Sequence, residues 1–344
     1  MMTKYTRWAA GALAGLTAAA VIAGCAGTGS GSAKSAAKAE QTGAIKVAYT
    51  ASLCQAPLFV AKEKGYFKDA GLDAEMIRVD GAQANEAIGS GKVDAMQTLI
   101  MKTIHPWQNG LPVKATVGIH TGCVRVVVRN DGSVNTVQDL KGKKIGVAGL
   151  ADTGAIVAQR ALKHAGIGVT PDNMEVEFVT IDRNSLPQAL ESGQVDAIAM
   201  TDPVGAIAEK QYGFKSVVDT AKSDGFKDEY CCDLVLSNKY LEEHPELAKK
   251  FNEAVIKAAV YVHEHPEETA KLLAEKKYIA GNPEDNAKLL ASYNYQPSIE
   301  GGYDAVKASA QDLGELGLTE KVDGKTFADQ YFLHIDGLSD KVSL

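Results

Sequence analysis

The stretch Ser90-Gly91-Lys92-Val93-Asp94-Ala95 returns 102 residues later as Ser192-Gly193-Gln194-Val195-Asp196-Ala197. Upstream, the strand-like run Ile45-Lys46-Val47-Ala48 has its counterpart 100 residues later in Ile145-Gly146-Val147-Ala148. In both copies a loop and an apolar helical pattern separate the two stretches, so the spacing is almost constant. The chain therefore carries the same strand–helix–strand unit twice, which predicts two lobes of similar architecture.

Short β-branched runs alternate with helical patterns along the chain, which predicts an α/β fold. The candidate strands are residues 46–49, 73–79, 95–98, 113–119, 124–129, 144–148, 176–181, 197–200 and 234–237. The candidate helices are residues 56–70, 154–165, 203–211 and, after residue 238, 246–265, 266–276, 284–293 and 303–316. Open α/β sheets bind small molecules in a crevice at the carboxyl ends of their strands. We therefore predict two lobes, each a mixed sheet flanked by helices, with a ligand cleft between them.

The order of these elements predicts where the chain passes from one lobe to the other. We assign residues 44–122 and 236–344 to the first lobe and residues 123–235 to the second. The C-terminal helices are then expected to pack on the first lobe. The chain crosses twice, near residues 121–125 and 231–235, and two crossing strands make a hinge that can close around a ligand.

The N-terminus has the composition of a secretion signal. Basic residues precede the apolar run Trp8–Ala23, which is too short and too rich in small residues for a membrane-spanning helix. The run ends in Val21-Ile22-Ala23-Gly24-Cys25, which resembles the lipobox of bacterial lipoproteins, although a plain signal peptide with an incidental cysteine would look similar. We predict a signal peptide over residues 1–24 and a lipid on Cys25 that anchors the protein at the membrane.

Residues 25–43 are rich in Gly, Ser, Ala and Lys and have almost nothing to bury, so we predict a flexible tether. No later segment offers the roughly 18 consecutive apolar residues that a membrane span needs. The net charge is −7 and becomes −9 without the predicted signal peptide. Nucleic acid is therefore not an expected partner.

Residues 56–67 read APLFVAKEKGYF, residues 70–73 read AGLD, and residues 140–147 read LKGKKIGV. These stretches resemble the family of solute-binding proteins that serve nitrate, sulfonate and taurine ABC importers, and the resemblance covers most of residues 44–240. This resemblance implies a type II periplasmic-binding-protein fold. It also implies a monomeric, extracytoplasmic protein that binds a small molecule, works with the permease and ATPase subunits of an importer and needs no cofactor.

The loops that follow the strands carry the residues expected to meet a ligand. Cys54 and Gln55 precede Pro57, which suits the first turn of a helix whose free N–H groups attract anions. Family members commonly have small or hydroxyl residues here, so Cys54 and Gln55 depart from the usual pattern. Thr98 follows the third strand and is assigned to the same cleft.

Acidic residues of the second lobe could bind a positively charged group of the ligand. Asp152 or Thr153 could cap the helix that they open, or Asp152 could face the cleft and attract an amine. Asp202 and Asp233 could likewise have a structural role or face the cleft. We assign Asp152, Thr153 and these two aspartates to the ligand-binding set. A zwitterion such as taurine would use helix N-termini and carboxylates together, whereas an inorganic anion would use only the helix N-termini.

His120 and Cys123, near the first crossing, complete the predicted ligand-binding set. Trp107 could stack on a flat heterocycle, although a tryptophan packed in the core is the simpler interpretation. Arg125 and Arg129 alternate along the hinge strand, and we expect them to pair with acidic side chains instead of the ligand.

Five side chains with soft donor atoms map to the predicted cleft or hinge: Cys54, His120, Cys123, Cys231 and Cys232. Outside the cytoplasm the four cysteines could form disulfides, with three pairings open, or they could be free structural thiols. A metal site needs three or four donors to converge. No C-x-x-C or H-x-x-x-H spacing indicates such convergence, so we predict no metal.

The sequence has no Walker A loop, nucleophile elbow, H-E-x-x-H motif or telling pair of carboxylates, so we predict no catalytic residues. The expected function is capture of an organic sulfonate or taurine-like anion. One alternative is a binding protein for a thiamine-precursor pyrimidine. An alternative of another class is a pyrimidine-synthase-like enzyme on the same fold.

Overall fold

The computed structural model describes residues 43–81 and 83–341. The predicted signal peptide, the lipid-attachment residue Cys25 and the tether up to residue 42 lie outside the described residues. Gly43, which we assigned to the end of the tether, begins the first strand. No helix in the described part of the chain is long and apolar enough to cross a membrane.

Two five-stranded sheets and a small hairpin hold the described strands. These are β1 (Gly43–Tyr49), β2 (Leu72–Arg78), β3 (Ala95–Leu99), β4 (Val113–Thr121), β5 (Val124–Val128), β6 (Lys144–Val147), β7 (Val169–Thr170), β8 (Asn173–Met174), β9 (Glu177–Thr180), β10 (Ala197–Thr201), β11 (Lys215–Asp219) and β12 (Tyr230–Ser237). The strand order is β2-β1-β3-β12-β4 in the first sheet and β11-β5-β10-β6-β9 in the second, with β7 and β8 paired apart from both.

Helices connect and cover the strands. They are α1 (Ala56–Glu63), α2 (Tyr66–Asp69), α3 (Ala84–Gly89), α4 (Met101–Gln108), α5 (Thr153–His164), α6 (Leu186–Glu191), α7 (Val204–Tyr212), α8 (Asn238–Glu243), α9 (Pro245–Glu264), α10 (Pro266–Glu275), α11 (Pro283–Ser292), α12 (Ile299–Glu315) and α13 (Gly324–Tyr331). Both sheets are mixed: β1 runs parallel to β2 and β3, whereas β12 runs antiparallel to β3 and β4. In the second sheet β10 is parallel to β6 and antiparallel to β5. The predicted α/β architecture is confirmed.

The repeated sequence unit has the same bonding in both lobes. The Asp94 carboxylate accepts a hydrogen bond from the Lys46 N–H at 2.8 Å, and the Asp196 carboxylate accepts one from the Lys144 N–H at 2.9 Å. Each aspartate therefore ties the start of a buried strand to the first strand of its unit. This is a structural role, as capping or turn residues have.

The C-terminal helices pack on the first sheet and on the helices around it. Phe251 of α9 stacks on Phe67 at 5.5 Å between ring centroids, and helix α12 lies directly against β4 at Gly302. A Cβ atom on Gly302 would lie 2.4 Å from the backbone nitrogen of Gly118. Only glycine permits this close approach of helix and strand.

Helix α1 follows the loop after β1, and side-chain contacts hold its C-terminal residue, Glu63, in place. The Glu63 carboxylate accepts a hydrogen bond from the Tyr278 hydroxyl at 2.7 Å and pairs with the Lys276 ammonium at 2.6 Å. Burial raises the pKa of Glu63, but these two donors outweigh it and leave the pKa lowered. The ionised carboxylate therefore stabilises the position of α1.

The chain passes between the sheets at two places. The first crossing is Gly122 and Cys123, between β4 and β5, and both residues have positive φ values of 82° and 97°. The return strand β12 pairs with β4 from Tyr230 and with β3 from Cys232 onward. This strand includes residues 231–235, where the sequence analysis placed the second crossing.

Candidate ligand-binding cleft

A cleft of about 570 Å³ lies where loops from the two sheets face each other. On the side of the first sheet its walls come from the loops after β1, β2 and β3 and from the start of α4. The second sheet contributes the loops after β6, β9 and β10. The residues around it are Thr50, Ala51, Ser52, Cys54, Gln55, Asp80, Gly81, Ala84, Gln97, Thr98, Leu99, Lys102, Ala148, Asp152, Arg183, Thr201, Asp202, Pro203, Val204 and Cys232.

The predicted ligand-binding residues divide into two groups. Those that line the cleft are Cys54, Gln55, Thr98, Asp152 and Asp202. Those that do not are His120, Cys123, Thr153 and Asp233, each at most 1% exposed. The structure thus brings the first group together at the cleft and places the second group in the core.

The first loop is held rigidly by its own side chains. The Ser52 hydroxyl accepts a hydrogen bond from the Cys54 N–H at 3.3 Å. The Gln55 amide donates to the carbonyl of Gln97 at 2.7 Å and accepts from the Thr50 N–H at 2.6 Å. Gln55 therefore joins the loops after β1 and β3 and presents little free hydrogen-bonding capacity to a ligand.

A charged trio joins the two sides of the cleft. The Lys102 ammonium, in α4 on the first side, lies 3.2 Å from the Asp152 carboxylate, at the start of α5 on the second side. The Arg183 guanidinium lies 3.5 Å from the same carboxylate and donates to the Thr201 hydroxyl at 2.6 Å. Two cations thus face one shared carboxylate, which leaves an excess of one positive charge within the trio.

Asp152 combines the two roles that the sequence left open. Its carboxylate lies 3.4 Å from the Gly154 N–H, so it caps α5, and it also lines the cleft. Thr153 is 1% exposed, and its hydroxyl has no hydrogen-bond partner among the described residues. Capping and a position at the cleft are therefore compatible for Asp152.

Asp202 serves mainly to hold a buried arginine. Both of its carboxylate oxygens accept hydrogen bonds from Nε of Arg125, at 2.9 and 3.0 Å. Arg125 also pairs with Asp219 and Glu209 at 2.8 and 3.2 Å, as expected for an arginine that does not contact the ligand. Burial, opposed by the Arg125 charge and aided by Asp219, raises the pKa of Asp202 to about 6.

Three other residues considered for ligand contact are packed in the core. Trp107 is fully buried, donates through Nε1 to the carbonyl of Val113 at 3.0 Å and stacks on Tyr331. His120 is also fully buried. Neither carboxyl oxygen of Asp233 has a hydrogen-bond partner among the described residues, and burial raises the pKa of this side chain well above its usual value.

The cations at the cleft are the residues that the sequence analysis missed. Lys102 stands in the helix that directly follows β3, and Arg183 stands in the loop that follows β9. We considered the loop after β3 but named only Thr98 there, and we did not consider the loop after β9. Ligands of open α/β sheets bind at the carboxyl ends of the strands. Arg183 lies in the loop that follows the predicted strand 176–181, so the same rule applied to that strand would have identified it.

The thiol and imidazole side chains near the cleft lie close together, although their spacing in the sequence did not indicate such convergence. Ligand atoms of Cys54, His120 and Cys232 lie within 4.8 Å of one another, and so do those of Cys123, Cys231 and Cys232. All four cysteines are buried free thiols. Chain spacing gave no sign of this cluster because its members come from separate segments.

The architecture, two sheets with a cleft at their strand ends, defines the class as the periplasmic-binding-protein fold. The crystal structure of the periplasmic aliphatic sulphonate binding protein SsuA from Escherichia coli is similar with a TM-score of 0.71 at 18% identity, over 88% of this chain and 95% of that one. Residues 54–269 match the NMT1/THI5-like family, and the chain belongs to it. The resemblance found in the sequence and the two-lobed fold are thus confirmed.

Relatives in this family carry two kinds of name. A 4-amino-5-hydroxymethyl-2-methylpyrimidine phosphate synthase of Saccharomyces cerevisiae is 29% identical over 232 residues, which are 62% of this chain and 65% of that protein. A putative aliphatic sulfonates-binding protein of Bacillus subtilis is 26% identical over 267 residues, 75% of each chain. The chain thus spans just under two thirds of the length of the synthase and three quarters of the length of the binding protein.

Proposed function

We propose that this protein is the solute-binding component of an ABC importer and that it captures a small organic anion, such as an alkanesulfonate or taurine, in the cleft. The observation that carries this proposal is the charged trio. Lys102 and Arg183 share the single carboxylate of Asp152. A ligand anion that approaches this trio meets two cations that share one carboxylate.

The position of the trio also supports a mechanism of lobe closure. Lys102 and Asp152 stand on opposite sides of the cleft, so an anion held by Lys102 and Arg183 contacts both lobes at once. Such contacts form fully only when the lobes are together, and the ligand therefore shifts the population toward the closed state. The closed state is then the form that the permease recognises.

A pyrimidine is a second candidate, because several relatives are named as pyrimidine phosphate synthases. The composition of the cleft favours the aliphatic anion. Among the described residues that line it, none is aromatic, and Trp107 stacks in the core instead. A flat ring would therefore lack the stacking surface that such ligands commonly use.

We further propose that the protein works as a monomer outside the cytoplasm, anchored by a lipid on Cys25, and that it is a binder and not an enzyme. The lipobox-like sequence and the relative named as a sulfonates-binding protein support this placement. Metabolic labelling with a fatty acid would test the anchor. Label should enter the wild-type protein and be lost in Cys25→Ala.

The ligand class can be tested by a thermal-shift screen of the purified protein against alkanesulfonates, taurine, nitrate and pyrimidines. A ligand that binds only the native state raises the melting temperature. We expect sulfonates to do so, and we expect Lys102→Met or Arg183→Gln to abolish most of the shift. Lys92→Met, at an exposed lysine away from the cleft, is the matched control. A shift with pyrimidines and none with sulfonates would refute the proposed ligand class.

A further inference from the structure

The feature that the proposed function leaves unexplained is a buried cluster of four thiols and one imidazole. The donors come from separate segments: Cys54 from the loop after β1, His120 from β4, Cys123 from the first crossing, and Cys231 and Cys232 from β12. His120 is fully buried, and the cysteines are between 1% and 8% exposed. Thiols and imidazole are the donors that soft and borderline metal ions prefer.

The donor atoms have the separations of a metal cage. The Sγ atom of Cys231 lies 3.4 Å from that of Cys123 and 3.7 Å from that of Cys232. It also lies 3.4 Å from Nδ1 and 4.0 Å from Nε2 of His120. Zn–S bonds of about 2.3 Å and Zn–N bonds of about 2.0 Å in a tetrahedron place two sulfurs about 3.8 Å apart and nitrogen and sulfur about 3.5 Å apart. Shifts of a few tenths of an ångström would therefore suffice to bring several donors onto one ion.

The imidazole can adopt a tautomer that leaves one ring nitrogen free to bind a metal. Nδ1 of His120 lies 3.1 Å from the backbone carbonyl of Thr121. When Nδ1 donates to this carbonyl, Nε2 keeps its lone pair, and that arrangement is common for histidines that bind a metal. The ring packs against Tyr293 and Tyr295, with centroid distances of 5.7 and 4.8 Å.

The backbone at Cys123 has a conformation that packing alone does not favour. Its φ value of 97° lies in the region that favours glycine, and a residue with a side chain is strained there. In this conformation the thiol meets that of Cys231 in the cluster. Strain of this kind is concentrated at functional sites.

Metal binding at this cluster involves proton release. A thiol binds a metal ion as the thiolate, so each cysteine that becomes a ligand loses its proton when the cation binds.

From this geometry we propose that the cluster is a binding site for one thiophilic d10 cation, Zn²⁺ or Cu⁺. Cys232 belongs to both groups of three donors, the one with Cys54 and His120 and the one with Cys123 and Cys231, and is therefore the central ligand. Each thiol that binds releases one proton to solvent, and neither sulfur nor metal changes its oxidation state. The ion lies beneath the cleft, since Cys54 and Cys232 also line the cleft, and it ties the first crossing to β12.

The test is a metal titration of the purified full chain, reduced, stripped with a chelator and kept anaerobic. Zn²⁺ and Cu⁺ are each added against a competing chromophoric chelator, and bound metal and released protons are counted. We expect one ion per chain and about two to four protons released per ion. Co²⁺ in place of Zn²⁺ should give the sulfur-to-metal charge-transfer bands of a thiolate site. Binding of either ion at one per chain supports the site, and the His120→Gln variant tests whether the imidazole is a ligand.

Variants connect the binding to this cluster. Cys232→Ser should weaken binding of the preferred ion at least about 100-fold. For Zn²⁺ we expect His120→Gln to weaken binding strongly and His263→Gln, at an exposed histidine outside the cluster, to leave it unchanged. If a variant fails to fold, alkylation of the wild-type thiols serves instead, and the preferred ion should slow it. Absence of stoichiometric binding in the reduced protein overturns the proposal, and so does equal binding by Cys232→Ser. A Cys123–Cys231 disulfide in the isolated protein, without metal binding after reduction, overturns it as well.

Discussion

The substitution Asp152→Asn isolates the charge that balances the two cations of the cleft. Asparagine caps helices about as well as aspartate does, so α5 should start at the same residue. The variant removes one negative charge from beside Lys102 and Arg183 and leaves the shape of the cleft nearly unchanged. A simple anion should therefore bind more tightly, and a zwitterion should gain less because its amine loses the carboxylate.

The magnitude follows from the size of the cleft. A sphere of the cleft's volume, about 570 Å³, has a radius of about 5 Å, which is the approximate distance from a centred anion to the Asp152 carboxylate. Unit charges at this distance repel by about 3 kcal/mol at a dielectric constant of about 20 and by about 1 kcal/mol in water. Lys102 and Arg183 are 31% and 36% exposed, so solvent screening favours the lower value. We expect about a fivefold gain in affinity.

Calorimetric titration with ethanesulfonate and taurine measures this effect, because the two ligands differ by the amine. In Asp152→Asn the affinity ratio should move about fivefold or more in favour of ethanesulfonate, and the change should shrink at high salt. Asp172→Asn, which removes an exposed charge elsewhere on the second lobe, is the control and should leave the ratio unchanged. An unchanged ratio in Asp152→Asn would refute the argument that this carboxylate faces the ligand.

Three further substitutions test the account of the fold by thermal or chemical unfolding. Asp202→Asn should remove the part of the stability loss that occurs as the pH rises from about 4 to 6, because burial raises the pKa of Asp202 to about 6 and the folded state therefore disfavours its ionised form. Glu63→Gln should lower the melting temperature at pH 6–8. Since the pKa of Glu63 is lowered in the folded state, this difference should narrow as the pH falls below about 4. Gly302→Ala should cost about 1–3 kcal/mol because its methyl group would collide with Gly118.

The sequence predicted those parts of the fold that repeat or that follow a clear period. The paired stretches that contain Asp94 and Asp196 identified two equivalent units, and both aspartates make the same backbone contact. Strand β11 was missed, because its run, Lys215–Asp219, is short and bounded by charged residues. Short helices such as α3 and α6 were missed for a similar reason, since six residues carry little periodicity.

Side-chain partners were harder to predict than elements. Asp202 and Asp152 occupy similar places at the cleft, each near the start of a helix after a strand, yet Asp202 binds the buried Arg125 whereas Asp152 pairs with Lys102 and Arg183. The thiol cluster depends on a crossing strand and on three other segments that meet only in the folded chain. Such long-range pairings leave no local pattern, so the order of residues alone does not separate a ligand contact from a core ion pair.

The most direct test of the central claim is a calorimetric titration of the best sulfonate from the screen into the wild-type protein and into the double variant Lys102→Met/Arg183→Gln. The account predicts one ligand per chain for the wild type and a loss of affinity of at least about tenfold in the double variant. Lys92→Met should bind like the wild type. Equal affinity in the wild type and the double variant would contradict the claim that these two cations hold the ligand.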